Sequence, residues 1–236
     1  MSAPQFQRPT AAFPATVAGG APATQVVSKA RATPVERVTE TTLPTVHGAF
    51  RAVAYRDQLA GVDHMALVAD PPAGEAWSEA GVLVRVHSEC ITGEAFGSVK
   101  CECGPQLDAA LELIQQRGGV VIYLRGQEGR GIGLANKMRA YRLQEDGVDT
   151  LDANLTLGFP ADARDYHAAA EMLTDLGIDR VRLLTNNPEK ILQLEEYGVL
   201  VLSREPLLVG VRPENIGYLE AKRDRMNHKL PEEVAG

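Results

Sequence analysis

The chain has 236 residues, a formal charge of −7 and 5% aromatic residues. That length holds one large domain or two small ones, with a sizeable core. The acidic balance argues against a nucleic-acid partner, which needs a basic face, and the aromatic content is too low for a base-stacking platform.

Residues 1 to about 40 are rich in Ala, Pro, Thr and Gly and carry no sustained helix or strand period. They predict a flexible N-terminal tail, bounded at residues 1–36. The first thirty residues lack the basic start and continuous apolar core of a signal peptide. No run approaches the roughly 18 apolar residues of a membrane span. The expectation is a cytoplasmic protein without a membrane partner, whose cysteines stay reduced.

From 41 to 70, short alternating segments bounded by Gly, Pro and Asp predict strands. "GVLVRVH" (81–87) predicts another, leading straight into Ser88-Glu89-Cys90. "PQLDAALELIQQRG" places apolar residues at 107, 110, 111 and 114, one face of a helix that Gly118 stops. "GVVIYL" (119–124) reads as a short buried strand. Helices are predicted over 131–147 and 161–177, a strand over 179–185, a helix over 187–198 and a strand over 199–205. The alternation points to an α/β domain.

All three cysteines, Cys90, Cys101 and Cys103, fall in "SECITGEAFGSVKCECG" (88–104). An odd count without a secretory signal argues against a disulfide framework. Cys101 and Cys103 are also too close in sequence for easy bridging. Clustered thiols in a reducing compartment suggest metal ligands or a reactive site, and Zn²⁺ prefers a tetrahedral thiolate and imidazole shell. Two readings are open. A structural zinc would take His87 or Glu89 as its fourth ligand, whereas a catalytic zinc would leave that position to water. Three thiolates overcompensate the ion's charge, so a catalytic site of this kind needs a nearby base.

"YLRGQEGRGIGLANK" (123–137) runs a strand into Gly126, Gly129, Gly131 and Gly133 before a helix begins. Such a loop brings backbone N–H groups close to phosphate oxygens, although it matches neither the P-loop nor the dinucleotide fingerprint. Arg125, Arg130 and Lys137 concentrate positive charge there. Asp162 and Arg164 flank one alanine at a predicted helix start, a pattern that a helix cap with surface charges would also produce. Thr185, Asn186 and Asn187 stand at a strand end, where α/β sheets often face ligands, and ordinary turns use the same residues.

In order and spacing, "RVHSECITGEAFGSVKCECGPQL", "GQEGRGIGLANKMRAY", "DANLTLGFPADARDY" and "RLLTNNPEK" resemble the GTP cyclohydrolase II family. The resemblance covers about residues 37–230, leaving 231–236 as a short C-terminal tail. It implies an α/β fold with a mixed sheet flanked by helices, and a homodimer. By resemblance, Cys90, Cys101 and Cys103 would hold one Zn²⁺ per chain. Arg85, Val86, His87, Ser88, Glu89, Gln106, Glu128, Gly129, Arg130, Thr150, Thr185 and Lys190 would contact GTP, with Mg²⁺ on its phosphates. Asp162 would be the proton acceptor, Arg164 the nucleophile and Tyr141 a participant in ring opening. Guanidinium is almost always protonated, so a purely electrostatic role for Arg164 stays open. Gly126 stands where some relatives run arginine directly into glutamine. The expectation is a monofunctional form, without the dihydroxybutanone-phosphate synthase domain fused in some relatives.

The implied reaction converts GTP and water to 2,5-diamino-6-ribosylamino-4(3H)-pyrimidinone 5′-phosphate, formate and pyrophosphate, the opening step of riboflavin biosynthesis. The rival readings are a zinc- or nucleotide-binding homologue without full turnover, a partial-reaction variant, and a zinc-dependent base deaminase. The last class carries P-C-x-x-C, whereas this chain has C-x-C.

Overall fold

A computed structural model of the chain describes residues 34–71 and 77–232. Seven strands form one sheet: β1 (Val35–Thr45), β2 (Gly48–Asp57), β3 (Val62–Ala69), β4 (Val82–Ser88), β5 (Gly119–Leu124), β6 (Arg180–Leu184) and β7 (Leu200–Glu205). Their order across the sheet is β1-β2-β3-β5-β4-β6-β7. The first three strands make an antiparallel meander, and β3 pairs antiparallel with β5. From β5 through β4 and β6 to β7 the pairing is parallel. The sheet is therefore mixed, as the resemblance implies.

The helices are α1 (Ile91–Glu94), α2 (Cys103–Arg117), the short turn α3 (Glu128–Gly131), α4 (Leu134–Glu145), α5 (Thr150–Thr156), α6 (His167–Asp175), α7 (Pro188–Glu196) and α8 (Ile216–Arg225). They cover the parallel half of the sheet on two sides, which explains the almost unbroken burial along β4 and β5. Because side chains alternate across a strand, one core gathers Val84, Val86, Ile122 and Leu124 with Met172 and Leu173 of α6. The opposite core gathers Leu83, Val121, Leu184 and Phe50 with Ala110 and Ile114 of α2. No helix among the described residues is long and apolar enough to cross a membrane.

Three boundaries differ from the sequence expectation. The helix expected over 161–177 begins only at His167. Asp162 Oδ1 accepts the Arg164 N–H (3.1 Å) and Asp165 Oδ1 accepts the His167 N–H (2.7 Å). Such local turns compete with helical hydrogen bonding. The helix expected over 131–147 starts at Leu134, because Gly129, Arg130, Gly131 and Gly133 all have positive φ. Strand β1 starts at Val35, inside the segment assigned to the tail. Helices α5 and α8 were not expected at all. The tail expectation for residues 1–33, and residues 233–236 of the C-terminal tail, lie outside the described residues.

One glycine fixes how closely the central strands approach. Gly119 opens β5 at φ 144°, and a Cβ there would lie 2.2 Å from the Leu83 carbonyl oxygen of β4. Gly119→Ala is expected to destabilise the fold by about 2–3 kcal/mol. A urea unfolding midpoint equal to that of the unaltered chain would show that this approach is not constrained.

Candidate active site

The carboxyl ends of β4, β5 and β6 open side by side, the place where ligands enter open α/β sheets. Cys90 follows β4 directly, while Cys101 and Cys103 lead into α2. Their three Sγ atoms lie within 4.8 Å of one another, the one such grouping of metal-ligating side chains among the described residues. Cys90 Sγ and Cys101 Sγ are 3.7 Å apart, and all three thiols are free. Gly93 permits this approach, since a Cβ there would sit 2.8 Å from Cys101 Sγ.

Lys137, from α4, supplies the counter-charge. Its Nζ donates to Cys90 Sγ (3.1 Å), Glu128 Oε1 (2.5 Å) and Thr92 Oγ1 (2.7 Å). Burial pulls this ammonium down, but Glu128 and the Cys90 thiolate outweigh it and hold the pKa above the ordinary lysine value. Hydrogen bonds from Cys101 and Cys103, helped by Lys137, push the Cys90 thiol far down. Cys103 is pushed up, because it donates to the other two sulfurs and is buried. Of the three sulfurs, Cys90 is the one most favoured as thiolate.

A structural site would need a fourth protein ligand, and neither expected residue supplies it. His87 Nε2 lies 2.9 Å from Glu94 Oε1, and Glu89 Oε2 accepts the Gly126 N–H at 2.8 Å. His87-Ser88-Glu89 spells the H-x-E half of a deaminase signature, yet the cluster consists of the three sulfurs alone. The fourth side faces a cavity lined also by Tyr141, Thr150, Arg130 and Arg164. The three thiols could hold a metal ion there with an open coordination position.

A second cavity adjoins the first and shares Ser88, Cys103, Arg130, Arg164 and Tyr218 with it. Its other walls include Arg85, Gln106, Thr185, Lys190, Lys222 and His228. Arg85 donates to the Leu184 carbonyl (3.0 Å) and Gln106 Oε1 (2.8 Å), and its Nε has no partner. Lys190 Nζ donates to the Val86 carbonyl at 2.6 Å. Burial lowers the pKa of both cations, and for Lys190 the neighbouring Arg85 and Arg164 add to the effect. Arg130 is 8% exposed and neither of its terminal nitrogens has a hydrogen-bond partner. Its backbone sits at φ 63°, an unfavourable conformation for a side chain with a Cβ. A buried, unpaired guanidinium between two cavities is the signature of an anion site.

Arg164 is gripped by Asp162: Nε donates to Oδ1 at 2.8 Å and Nη2 to Oδ2. Burial would lower the Arg164 pKa, but Tyr166 and Asp162 raise it overall, so the guanidinium is firmly charged. Burial raises the Asp162 carboxyl and Arg164 lowers it further, leaving it below the ordinary value. The Tyr141 phenol is pushed up to about 12, mainly by burial, against the opposing charge of Lys137.

The thiol-side cavity holds Glu89, the three cysteines, Glu128, Gly129, Tyr141 and Thr150. The cationic cavity holds Arg85, His87, Gln106, Thr185 and Lys190. Ser88, Arg130 and Arg164 face both. Val86 lines neither, since its side chain is in the core, and only its carbonyl reaches Lys190. Asp162 lines neither and is joined to the site by its hydrogen bonds with Arg164. Not anticipated were Glu94, which accepts the Cys90 N–H (2.8 Å), and Tyr218, Lys222 and His228 of the C-terminal segment.

Residues 36–206 match the family model described as GTP cyclohydrolase II. The chain belongs to that family. It is 56% identical over 197 residues to the riboflavin biosynthesis protein RibBA of Nocardia farcinica (strain IFM 10152), covering 83% of this chain and 47% of the relative. It is 54% identical over 197 residues to the RibBA protein of Mycobacterium avium (strain 104), with 83% and 46% covered. The RibBA protein of Rhodococcus erythropolis (strain PR4 / NBRC 100887) is 55% identical over the same length, again with 83% and 46% covered. The chain thus spans about half the length of these relatives. The match supports the cyclohydrolase II assignment, not the narrower monofunctional one. Among solved structures, 66% of the chain is similar to 35% of RibBX, a two-domain 3,4-dihydroxy-2-butanone 4-phosphate synthase from A. baumannii, at 22% identity and a TM-score of 0.35.

Because a thiol must lose its proton to ligate a metal, binding a thiophilic dication should release protons, and affinity should rise with pH. Titration with Cd²⁺, read by sulfur-to-metal charge-transfer absorption and proton release, checks both. Cys101→Ser should weaken binding by more than roughly a hundredfold, since a hydroxyl is a far poorer ligand. Unchanged affinity in that variant would remove the cluster as a metal site.

Proposed function

We propose that the chain catalyses the GTP cyclohydrolase II reaction, converting GTP to the diaminopyrimidine nucleotide, formate and pyrophosphate at the start of riboflavin biosynthesis. The observation that carries this reading is the joining of an open three-thiol cluster and an unpaired buried guanidinium, Arg130, in one pair of connected cavities. The proposal includes a cytoplasmic homodimer with GTP as substrate and Mg²⁺ on its phosphates. The catalytic domain is taken from Val35, where β1 begins, to residue 230, with the flanking residues as tails. A monofunctional role extends only to these 236 residues.

Cys90, Cys101 and Cys103 would hold Zn²⁺, whose Lewis acidity supports hydrolysis at the imidazole C8 and loss of that carbon as formate. The protein's own groups bind, orient and move protons. Arg130, Arg85 and Lys190 meet the polyphosphate with charge that the protein leaves uncompensated. Gln106 and Glu128 offer amide and carboxylate partners for the purine edge, although Glu128 in the free protein is held by Lys137 and the Ile91 N–H (2.6 Å).

A guanidinium held charged by Asp162 suits stabilisation of phosphoryl charge better than nucleophilic attack, which favours the electrostatic role for Arg164. Asp162 becomes an effective proton acceptor once Arg164 turns to a phosphate oxygen and releases it. Tyr141, a phenol protonated well above neutral pH, is suited to donate a proton during ring opening.

Protein loaded with Zn²⁺ and given Mg²⁺ and GTP should release formate and pyrophosphate in equal amounts. A binding module would release neither, and pyrophosphate without formate would replace this reading with a partial-reaction enzyme. Within the reaction, Tyr141→Phe should slow formate release roughly a hundredfold, more than pyrophosphate release. Arg164→Ala should lose pyrophosphate release and, with it, any formate that depends on prior phosphate cleavage. Formate without pyrophosphate from the Arg164 variant would contradict the assigned division.

A further inference from the structure

Residues beyond the family match also reach the cationic cavity. The match ends at residue 206, yet Tyr218, Lys222, Met226, His228 and Leu230 line that cavity. The segment is firmly docked. Arg225 of α8 pairs with Asp149 (2.6 Å) and Asp152 (2.8 Å) at the start of α5. Asn215 is fully buried and bonds the Gly210 carbonyl and the Arg212 N–H, fixing the entry to α8. After α8, the Lys229 N–H donates to the Asn186 carbonyl at 2.8 Å, tying the end of the segment to the turn after β6.

Three of its side chains meet the site's own charges. The Tyr218 ring stacks with both the Arg130 guanidinium (5.6 Å to the ring centre) and the Lys222 ammonium (4.3 Å), a cation–π contact with each. Lys222 Nζ is held by the buried Glu102 at 2.5 Å, next to Cys103. His228 lines the same cavity, and its Nε2 is buried without any hydrogen-bond partner. A buried polar atom left unpaired costs free energy unless a ligand satisfies it. Lys222, Arg164, Lys190 and Arg130 all act electrostatically on this imidazole, and an anion drawn in by those cations would meet it.

We propose that the C-terminal segment 216–230 completes the polyphosphate end of the substrate site, with His228 Nε2–H donating to a phosphate oxygen and Tyr218 positioning Arg130. The inference rests on the proposed GTP site and adds a phosphate contact outside the matched residues. The imidazole is uncharged in the free protein: burial and the surrounding cations pull its pKa down to about 2. It therefore contributes a directional hydrogen bond rather than a further charge. Lys222 is the poorer probe, because its removal would strand buried Glu102.

Binding of inorganic pyrophosphate, guanosine and a GTP analogue with a methylene group between the α and β phosphorus atoms tests the proposal, using full-length protein and calorimetry. His228→Ala should weaken pyrophosphate and analogue binding about tenfold and leave guanosine binding, metal content and thermal midpoint unchanged. His228→Gln, whose amide nitrogen falls near the Nε2 position, should recover most of the loss. Pyrophosphate binding by His228→Ala equal to the unaltered chain overturns the proposal, as does equal weakening of guanosine and pyrophosphate. If the unaltered, metal-loaded chain binds neither the analogue nor pyrophosphate, the GTP-site reading itself falls.

Discussion

The insertion of β4 between β5 and β6, all three parallel, is the constraint from which the site follows. The register sets His87 opposite Tyr123 and Ser88 opposite Leu124, and the Glu89 N–H extends the ladder to the Leu124 carbonyl at 2.9 Å. Both strands therefore end level. Cys90 begins where the glycine loop begins, and Glu128 can accept the Ile91 N–H from across that gap. Alternation along β4 sends Leu83, Arg85 and His87 to the α2 side, while Val84 and Val86 fill the other core. A slip of one residue would exchange these faces, burying Arg85 among Tyr166 and Met172.

That geometry forces cations together in a chain whose net charge is −7. Asp162 and Glu102 neutralise Arg164 and Lys222. Arg85 and Lys190 have only neutral oxygens as partners, and Arg130 has none. Burying charge without a counter-ion is expensive, and the depressed pKa values of Arg85 and Lys190 express that cost. The free protein carries this strain, held by two apolar cores that do not share it. In the proposed function, a polyanionic ligand would supply the missing negative charge.

What was legible in the sequence is what linear spacing carries. The thiol spacing, the glycine loop and the helical period of "PQLDAALELIQQRG" each depend on residues near in sequence, and the structure builds all three where expected. The start of α6 was misplaced because Asp162 and Asp165 spend their side chains on local turns, a preference that apolar periodicity does not register. Helix α8 was missed because few of its residues face inward: Leu219 and Ala221 are its buried ones, and its polar side chains hide the period. Its contribution to the site was equally hidden, since Tyr218 meets Arg130 across some ninety residues of chain. The left-handed backbone of Arg130 was also invisible, because a glycine-flanked arginine reads as part of an ordinary turn.

The pair Asp162–Arg164 shows how the proposed reaction can be ordered by electrostatics alone. In the free protein the two groups suppress each other's chemistry: the guanidinium stays charged and the carboxylate is a weak base. A phosphate oxygen competing for Arg164 breaks the grip at two points, Nε and Nη2. Asp162, still partly buried but no longer neutralised, then moves toward a higher pKa and a greater capacity to take a proton. In the proposed reaction, occupancy of the phosphate end would thus unmask the base before ring chemistry begins at the thiol end. Arg130, facing both cavities, remains in place throughout, because nothing in the protein holds its guanidinium back from the ligand.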